Sequence, residues 1–245
     1  MAWFSQIAPF AFVIAFVALV VGQCRKPRGW VGRLHIWLMN RRHAGLTAWG
    51  LGHVRIEPAF AILDVGCGGG KAVERLAALA SQGRVYGVDY SAASVAAASS
   101  ANARAIAGGR VEIRQASVSS LPFDENTFDL VSAVESHYYW PDPIADLREI
   151  RRVLKPGGHL AIIAETYRGS QAFGAMTTMA MALLGARHLS VDEHARLQAS
   201  AGFTDVAVNT DVRRGWICVV GRNPDGNGVD SSRRLSNRRG ACRES

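Results

Sequence analysis

A buried-strand pattern, four glycines within five residues and the start of a helical pattern follow one another without a break in AILDVGCGGGKAVERL, Ala61 to Leu76. Few folds accommodate that order. A strand that ends in bare backbone and reverses into a helix belongs to an open, largely parallel α/β sheet, where ligands bind beyond the carboxyl ends of the strands. Gly66, Gly68, Gly69 and Gly70 fall at that edge. Lacking Cβ atoms, they permit a tight turn and let backbone N–H groups approach a ligand. The helix that follows favours an anionic group at its first turn. Turn geometry alone also accounts for such a loop, so a second feature is needed to define a ligand.

Beyond residue 61, strand and helix patterns alternate. The spacing predicts strands over Ala61–Gly66, Arg84–Asp89, Arg110–Gln115, Phe128–Val134, His159–Ala164, Thr204–Asn209 and Trp216–Arg222, with helices near 71–81, 91–107, 142–154 and 190–201. The last helix opens with SVDE, a capping box. Alternation of this kind implies a three-layer α/β sandwich around a seven-stranded, mostly parallel sheet. The final two strands are joined only by a short turn around Arg213–Gly215, so the last strand should be antiparallel. LKPGG, Leu154–Gly158, reads as the end of a helix turning into a strand. After Arg222 the chain is too polar to bury a core, which predicts a disordered basic tail over 223–245.

The first 57 residues differ in character. Ala2 to Gly22 carries no charge and as a helix would be about 31 Å long, enough for a bilayer core. Residues 1–24 therefore read as a transmembrane helix, followed by a basic helical connector or lid over 25–57. Arg25, Lys26, Arg28, Arg33, Arg41, Arg42 and Arg55 all precede the first acidic residue, Glu57. That asymmetry places the domain over 58–222 on the cytoplasmic side of a membrane. The formal net charge of +8 is concentrated in these flanks, which argues against a nucleic-acid-binding face. Cys24, Cys67, Cys218 and Cys242 show neither a CxxC pair nor metal-ligand spacing, as expected of free thiols in a reducing compartment.

The second feature is Asp89, which ends the next strand in VYGVDYSAAS. A carboxylate there accepts hydrogen bonds from both hydroxyls of a ribose. Its other reading, a helix cap, is weakened by the better-placed Ser91. The ligand is therefore a nucleoside. GCGGGK puts Lys71 where a dinucleotide fingerprint needs its third glycine, and GCGGGKA fails the phosphate-loop pattern in spacing and in its final hydroxyl.

What the stretch does resemble is the first motif of class I S-adenosylmethionine-dependent methyltransferases. VEIRQASVSSLPFDENTFDLVSAVESHYYWPD resembles that family's third- and fourth-strand motifs, and LREIRRVLKPGGHLAII the motif leading into its fifth strand. Together the motifs cover about 61–164, most similar to the group typified by ubiquinone, menaquinone and sterol biosynthesis. The resemblance implies that Asp64 and the backbone of Gly66, Gly68 and Gly69 hold the methionine end of S-adenosylmethionine. It places the ribose on Asp89, the adenine beside Tyr90, and the adenine-reading loop at Ser117 and Val118. Ser117 stands where the family commonly has an acidic or amide residue, so adenine recognition lacks charge assistance.

Methyl transfer from a sulfonium disperses charge, so orientation and exclusion of water supply much of the rate. ESHYYW, Glu135 to Trp140, follows the fourth strand on the acceptor side. Glu135 is a candidate contact to the cofactor and His137 a candidate catalytic base or orienting group; Tyr138, Tyr139 and Trp140 shape the acceptor cavity. The methionine-rich segment Gly169–His188 reads equally as a lid or as ordinary packing. Trp37, His43 and Trp49 either fold over the cofactor or pack the connector. These features suggest a small, lipophilic, lipid- or quinone-like acceptor drawn from the membrane, with no metal and no nucleic acid. Two other readings stay open at this point: an NAD-dependent oxidoreductase, and a membrane-tethered nucleoside-binding protein without turnover.

Overall fold

A computed structural model describes residues 29–170, 172 and 174–225. The expected span over 1–24 and the tail from 226 lie outside them. Helix α1, Gly29–Leu51, precedes β1, Ala61–Val65. There follow α2 (Lys71–Leu79), β2 (Arg84–Asp89), α3 (Ala92–Ala101), α4 (Ala103–Ala107), β3 (Val111–Gln115), β4 (Phe128–Val134), a 3-10 turn over His137–Tyr139, and α5 (Pro143–Val153). The chain continues with β5 (Leu154–Ala164), α6 (Gly174–Leu183), α7 (Val191–Ser200), β6 (Thr204–Asp211) and β7 (Trp216–Arg222). The seven strands form one sheet in the order β3-β2-β1-β4-β5-β7-β6. The first five strands are parallel, and β7 runs antiparallel to both β5 and β6. This is the three-layer α/β sandwich expected from the sequence.

Side chains alternate across the strands, and both faces of the sheet are covered. Leu63 packs with Phe128 and Val131 against Leu147, Ile150 and Val153 of α5. Its neighbour Ile62 points to the opposite face, with Leu76 of α2, Ile163 of β5 and Leu46 and Leu51 of α1. Leu46 and Leu51, both buried, each contribute about 1.5–3 kcal/mol to holding α1. The approach is close enough that a Cβ on Gly50 would sit 2.6 Å from Ile163 Cγ2. Thus α1 is part of the domain rather than a loose connector. Among the described residues no helix is long and apolar enough to cross a membrane.

Three local expectations need correction. The helix expected over 91–107 is divided at Asn102, whose side-chain amide donates to Gly70 O at 3.0 Å and to Ala98 O at 2.9 Å. Leu154–Gly158 belongs to β5 from its first residue, with Leu154 paired to Phe128 before a register shift. What holds it in the sheet is Asn223, placed by sequence in the tail but buried. Asn223 donates from its side chain to Leu154 O at 2.9 Å and from its backbone N–H to Gly158 O at 2.7 Å. The domain therefore runs past Arg222. The SVDE capping box forms as expected, with Ser190 Oγ accepting from Glu193 N–H and the Glu193 carboxylate accepting from Ser190 N–H.

Candidate active site

The glycine turn is pinned to β2 by Gly66 and Cys67, whose N–H groups donate to Val88 O at 2.8 and 2.9 Å. Gly66, at φ +74°, lies so near the β4 loop that a Cβ would be 2.4 Å from Ser136 Cβ. Gly68 has φ +52° with nothing within 4 Å of a built Cβ, so only bare backbone occupies that rim of the cavity. The Gly68 N–H donates to Asp89 Oδ2 at 3.0 Å, and the Ser91 N–H donates to Asp89 Oδ1 at 2.8 Å. Asp89 thus joins the glycine turn to the start of α3, while Ser91 Oγ caps that helix by accepting from Ser94 N–H. A carboxylate offers about four lone-pair positions. Two are engaged by these amides and one by the Ser94 side chain, so ribose hydroxyls would take the remaining position and compete with Ser94 for its own.

Asp64 lies deeper, 1% exposed, and accepts from Ser132 Oγ at 2.7 Å. Burial pushes its carboxyl up to about 7; the Ser132 hydrogen bond opposes this shift and the charge of Asp89 adds to it. A carboxylate so placed on a cavity wall gains from any cation brought beside it.

These groups open into a cavity of about 630 Å³, within the range of small-molecule sites. Asp64, Gly66, Gly68, Gly69, Asp89 and Tyr90 line it from β1 and β2, and Ser117, Val118 and Glu135 from the loops after β3 and β4. All nine expected contact residues are brought together. Ser117 Oγ accepts from Ser119 N–H at 3.2 Å within its own turn. The far wall is largely apolar, with Met39 from α1, Tyr138, Tyr139 and Trp140 after β4, and Met181 and Leu184 at the end of α6, and is interrupted by His43, Glu135 and Glu165. Of the connector aromatics, Trp49 packs on Trp216, with ring centroids 5.8 Å apart, and not over the cavity. Trp37's side chain is outside the described set.

His137 is not among the lining residues. It is 2% exposed, and its Nε2 lies 3.0 Å from Nε2 of His194. His194 Nδ1 sits 2.8 Å from Ser190 O, and a carbonyl can only accept, so Nδ1 carries the hydrogen. The His194 Nε2 is then a lone pair and His137 Nε2–H donates to it. That leaves His137 Nδ1 a buried acceptor with no donor. The catalytic role expected for His137 is therefore not carried forward: the ring turns into the protein behind the site, because the turn after β4 brings it against α7.

Burial holds both imidazoles below their ordinary range, helped for His137 by His194. An unfolded chain takes up protons near pH 6.5 that this pair resists in the fold, so stability is lost as the pH falls below about 6.5. Asp64 and Glu135, whose carboxyls are raised, act in the opposite direction, so the pair is tested by the difference between variants from pH 7 to 5. The thermal midpoint of a His137→Leu/His194→Leu double variant should fall distinctly less, or rise more, than that of the wild type over this interval; parallel slopes would show that the pair is not held neutral.

Glu165 escaped the sequence reading, and His43, one of the connector aromatics expected over the cofactor, does line the cavity. Glu165 directly follows β5, and His43 of α1 faces it. An acid immediately past the carboxyl end of a parallel strand was the available signal; nothing in the sequence paired it with a histidine 122 positions earlier. Glu135, at φ +55°, accepts from Tyr138 Oη at 3.2 Å and from the backbone N–H of Glu165 through the same oxygen, Oε1. Burial first, then the charge of Glu165, lifts its carboxyl to about 8.

A five-strand parallel run extended by an antiparallel pair, with a glycine turn after β1 and an acid closing β2, defines the architecture of class I S-adenosylmethionine-dependent methyltransferases. Residues 63–162 match the family described as "Methyltransferase domain", and the domain belongs to that S-adenosylmethionine-dependent family. The chain is 34% identical over 122 residues to cycloartenol-C-24-methyltransferase 1 of Oryza sativa subsp. japonica, covering 50% of this chain and 34% of that protein. It is 36% identical over 138 residues to a ubiquinone biosynthesis O-methyltransferase of Xanthomonas axonopodis pv. citri, covering 56% and 53% respectively. The chain thus spans between a third and about half the length of these relatives. A methyltransferase structure from Aquifex aeolicus superposes with a TM-score of 0.63 at 20% identity, covering 77% of this chain and 96% of the other. At that identity the likeness concerns the fold. This family assignment displaces the nicotinamide reading.

Proposed function

We propose that this protein transfers a methyl group from S-adenosylmethionine to a small, lipophilic acceptor. The observation that carries the reading is the continuity of one cavity between two chemically different ends. One end offers Asp64, the bare turn at Gly68 and the Asp89 carboxylate; the other offers Met39, Tyr138, Trp140, Met181 and Leu184. The first end fits the donor. Asp64, raised to about 7 in the absence of a cation, suits the ammonium of an amino-acid moiety. Asp89 offers lone pairs to ribose hydroxyls, and Val88, Ala116 and Val118 supply apolar walls for a base.

When bound, S-adenosylmethionine supplies an electrophilic methyl group on a positively charged sulfur. The protein's part is positional. The turn and two aspartates hold one reactant, the aromatic and methionine side chains exclude water around the other, and alignment of the two supplies most of the acceleration. The lipophilic acceptor is supported by that apolar wall and by the named substrates of relatives, which include sterol and quinone precursors. The uncharged stretch 2–22 and the basic residues after it support tethering to a membrane, with the domain on the cytoplasmic side. The test is transfer of labelled methyl from S-adenosylmethionine in a membrane extract. Label should enter an organic-phase product; label confined to water-soluble products would overturn the lipophilic acceptor, and absence of any transfer would favour a binding protein without turnover.

A further inference from the structure

Three ligand atoms from three separate elements converge where the cavity widens past the β4 and β5 ends. His43 Nε2 lies 3.9 Å from Glu135 Oε2 and 3.7 Å from Glu165 Oε2, and one ligand atom from each residue falls within 4.8 Å of the others. A tetrahedral ion with bonds of about 2.1 Å has ligand–ligand edges of about 3.4 Å. Closing the two His43 separations to that value needs about 0.3–0.5 Å, and the carboxylate–carboxylate edge, within 4.8 Å, at most about 1.4 Å, which side-chain torsions absorb. We infer that His43, Glu135 and Glu165 form a divalent transition-metal site whose remaining coordination positions face the cavity and take an oxygen of the methyl acceptor. The acceptor's part in this rests on the methyl-transfer reading; the metal site itself does not.

The donor set is of the right kind. One imidazole and two carboxylates with an open side match catalytic rather than closed structural sites, and mixed nitrogen and oxygen ligands suit Zn²⁺ or Mn²⁺. The outer contacts are present as well. Glu135 Oε1 is held by the Tyr138 hydroxyl and the Glu165 N–H, which leaves Oε2 turned toward His43 and sets the carboxylate's orientation before any ion arrives. The cation beside the cluster is Arg42, whose Nε donates to Glu165 Oε2 at 3.1 Å from a side chain that is 58% exposed. An exposed pair of this sort is weak, and Glu135, whose carboxyl is lifted to about 8, would release its proton when an ion binds.

The chemical consequence concerns the proton. An acceptor hydroxyl on such an ion is acidified, so its proton passes to water. The oxygen's electron pair then forms the new bond to the methyl carbon, and the electrons of the broken carbon–sulfur bond remain on sulfur. No side chain in the cavity has to accept that proton, which accounts for His137 lying behind the site. The predicted acceptor is therefore a lipophilic molecule with an ionisable or chelating hydroxyl.

The experiment is calorimetric titration of Mn²⁺ and of Zn²⁺ into the full chain, stripped with a chelator and free of any histidine tag. Saturable binding of one ion per chain is expected. His43→Ala and Glu165→Gln should each weaken it at least ~100-fold, since loss of an outer-shell contact alone costs about 10–100-fold. The same variants should bind S-adenosylhomocysteine within about twofold of wild type, which shows that they are folded. Arg42→Ala should bind the ion as well as or better than wild type. Absence of binding at 1 mM of either ion, or equal affinity in wild type and Glu165→Gln, overturns the site. If the stripped protein transfers methyl at the undiminished rate, the metal's role falls while the methyl-transfer reading stands. Ion binding without methyl transfer to any acceptor has the reverse meaning.

Discussion

Replacing Asp89 with alanine is expected to weaken S-adenosylhomocysteine binding at least ~100-fold, measured by calorimetry at neutral pH. Two hydrogen bonds from ribose hydroxyls to a charged acceptor are worth about 1.5–3 kcal/mol each, and about 1.4 kcal/mol corresponds to tenfold in affinity. The variant also removes the acceptor for Gly68 N–H and Ser91 N–H, so the turn loses its tie to α3. Fold loss is not expected, because Gly66 and Cys67 still donate to Val88 O. A fall in melting temperature of a few degrees is the anticipated structural effect, at about 2–4 °C per kcal/mol for a chain of this size. Asp89→Asn keeps one acceptor oxygen and should lie between the two. Unchanged affinity in Asp89→Ala would mean that the ribose is held elsewhere.

The second large effect is a trade between stability and binding at Asp64. Its carboxyl titrates near 7 in the folded protein and near 3.8 when exposed. The folded state therefore holds its proton more tightly than the unfolded chain. That contribution to stability is fully present below about pH 4 and is lost as the pH rises through 7. At pH 8, ionised and without a cation, Asp64 costs up to about 4 kcal/mol, from roughly three pK units at 1.36 kcal/mol each. Asp64→Asn preserves an oxygen to accept from Ser132 and carries no charge. It should stabilise the ligand-free protein by about 2–4 kcal/mol at pH 8, have little effect at pH 4, and lose affinity for the donor's ammonium end. Destabilisation at pH 8 would show that the wild-type carboxylate is satisfied without a cation.

The physical basis of what could be read in advance is period and punctuation. Apolar runs bounded by Gly66–Gly70, by Asp89 and by the Arg213–Gly215 turn impose the strand order's local steps. The placement of Asp64, Gly68 and Asp89 follows from their lying at strand ends, and for that reason the donor half of the cavity was legible. The acceptor half was legible only in part: Tyr138, Tyr139 and Trp140 line it as expected, whereas the approach of α1 and Glu165 is made by long-range packing. α1 reaches the site only through the burial of Leu46 and Leu51 against Ile62 and Ile163, and no local pattern announces that His43 will meet Glu165. His137 shows the converse limit. Its position after β4 suggested a base, yet the 3-10 turn over His137–Tyr139 directs Tyr138 and Tyr139 into the cavity and the imidazole toward His194. Leu154–Gly158 was read as a helix exit because proline and glycine mark such exits. Asn223 holds it as strand, from a residue 65 positions beyond Gly158.

All of this depends on a sulfonium nucleoside lying along the β1 and β2 ends. The direct measurement is a crystal structure of the full chain with S-adenosylhomocysteine. Both sugar hydroxyls should lie about 2.5–3.0 Å from the Asp89 carboxylate, with the amino-acid end at Asp64 and Gly68. A nucleoside seated at any other place, with Asp89 still bonded only to groups of the protein, would contradict the account.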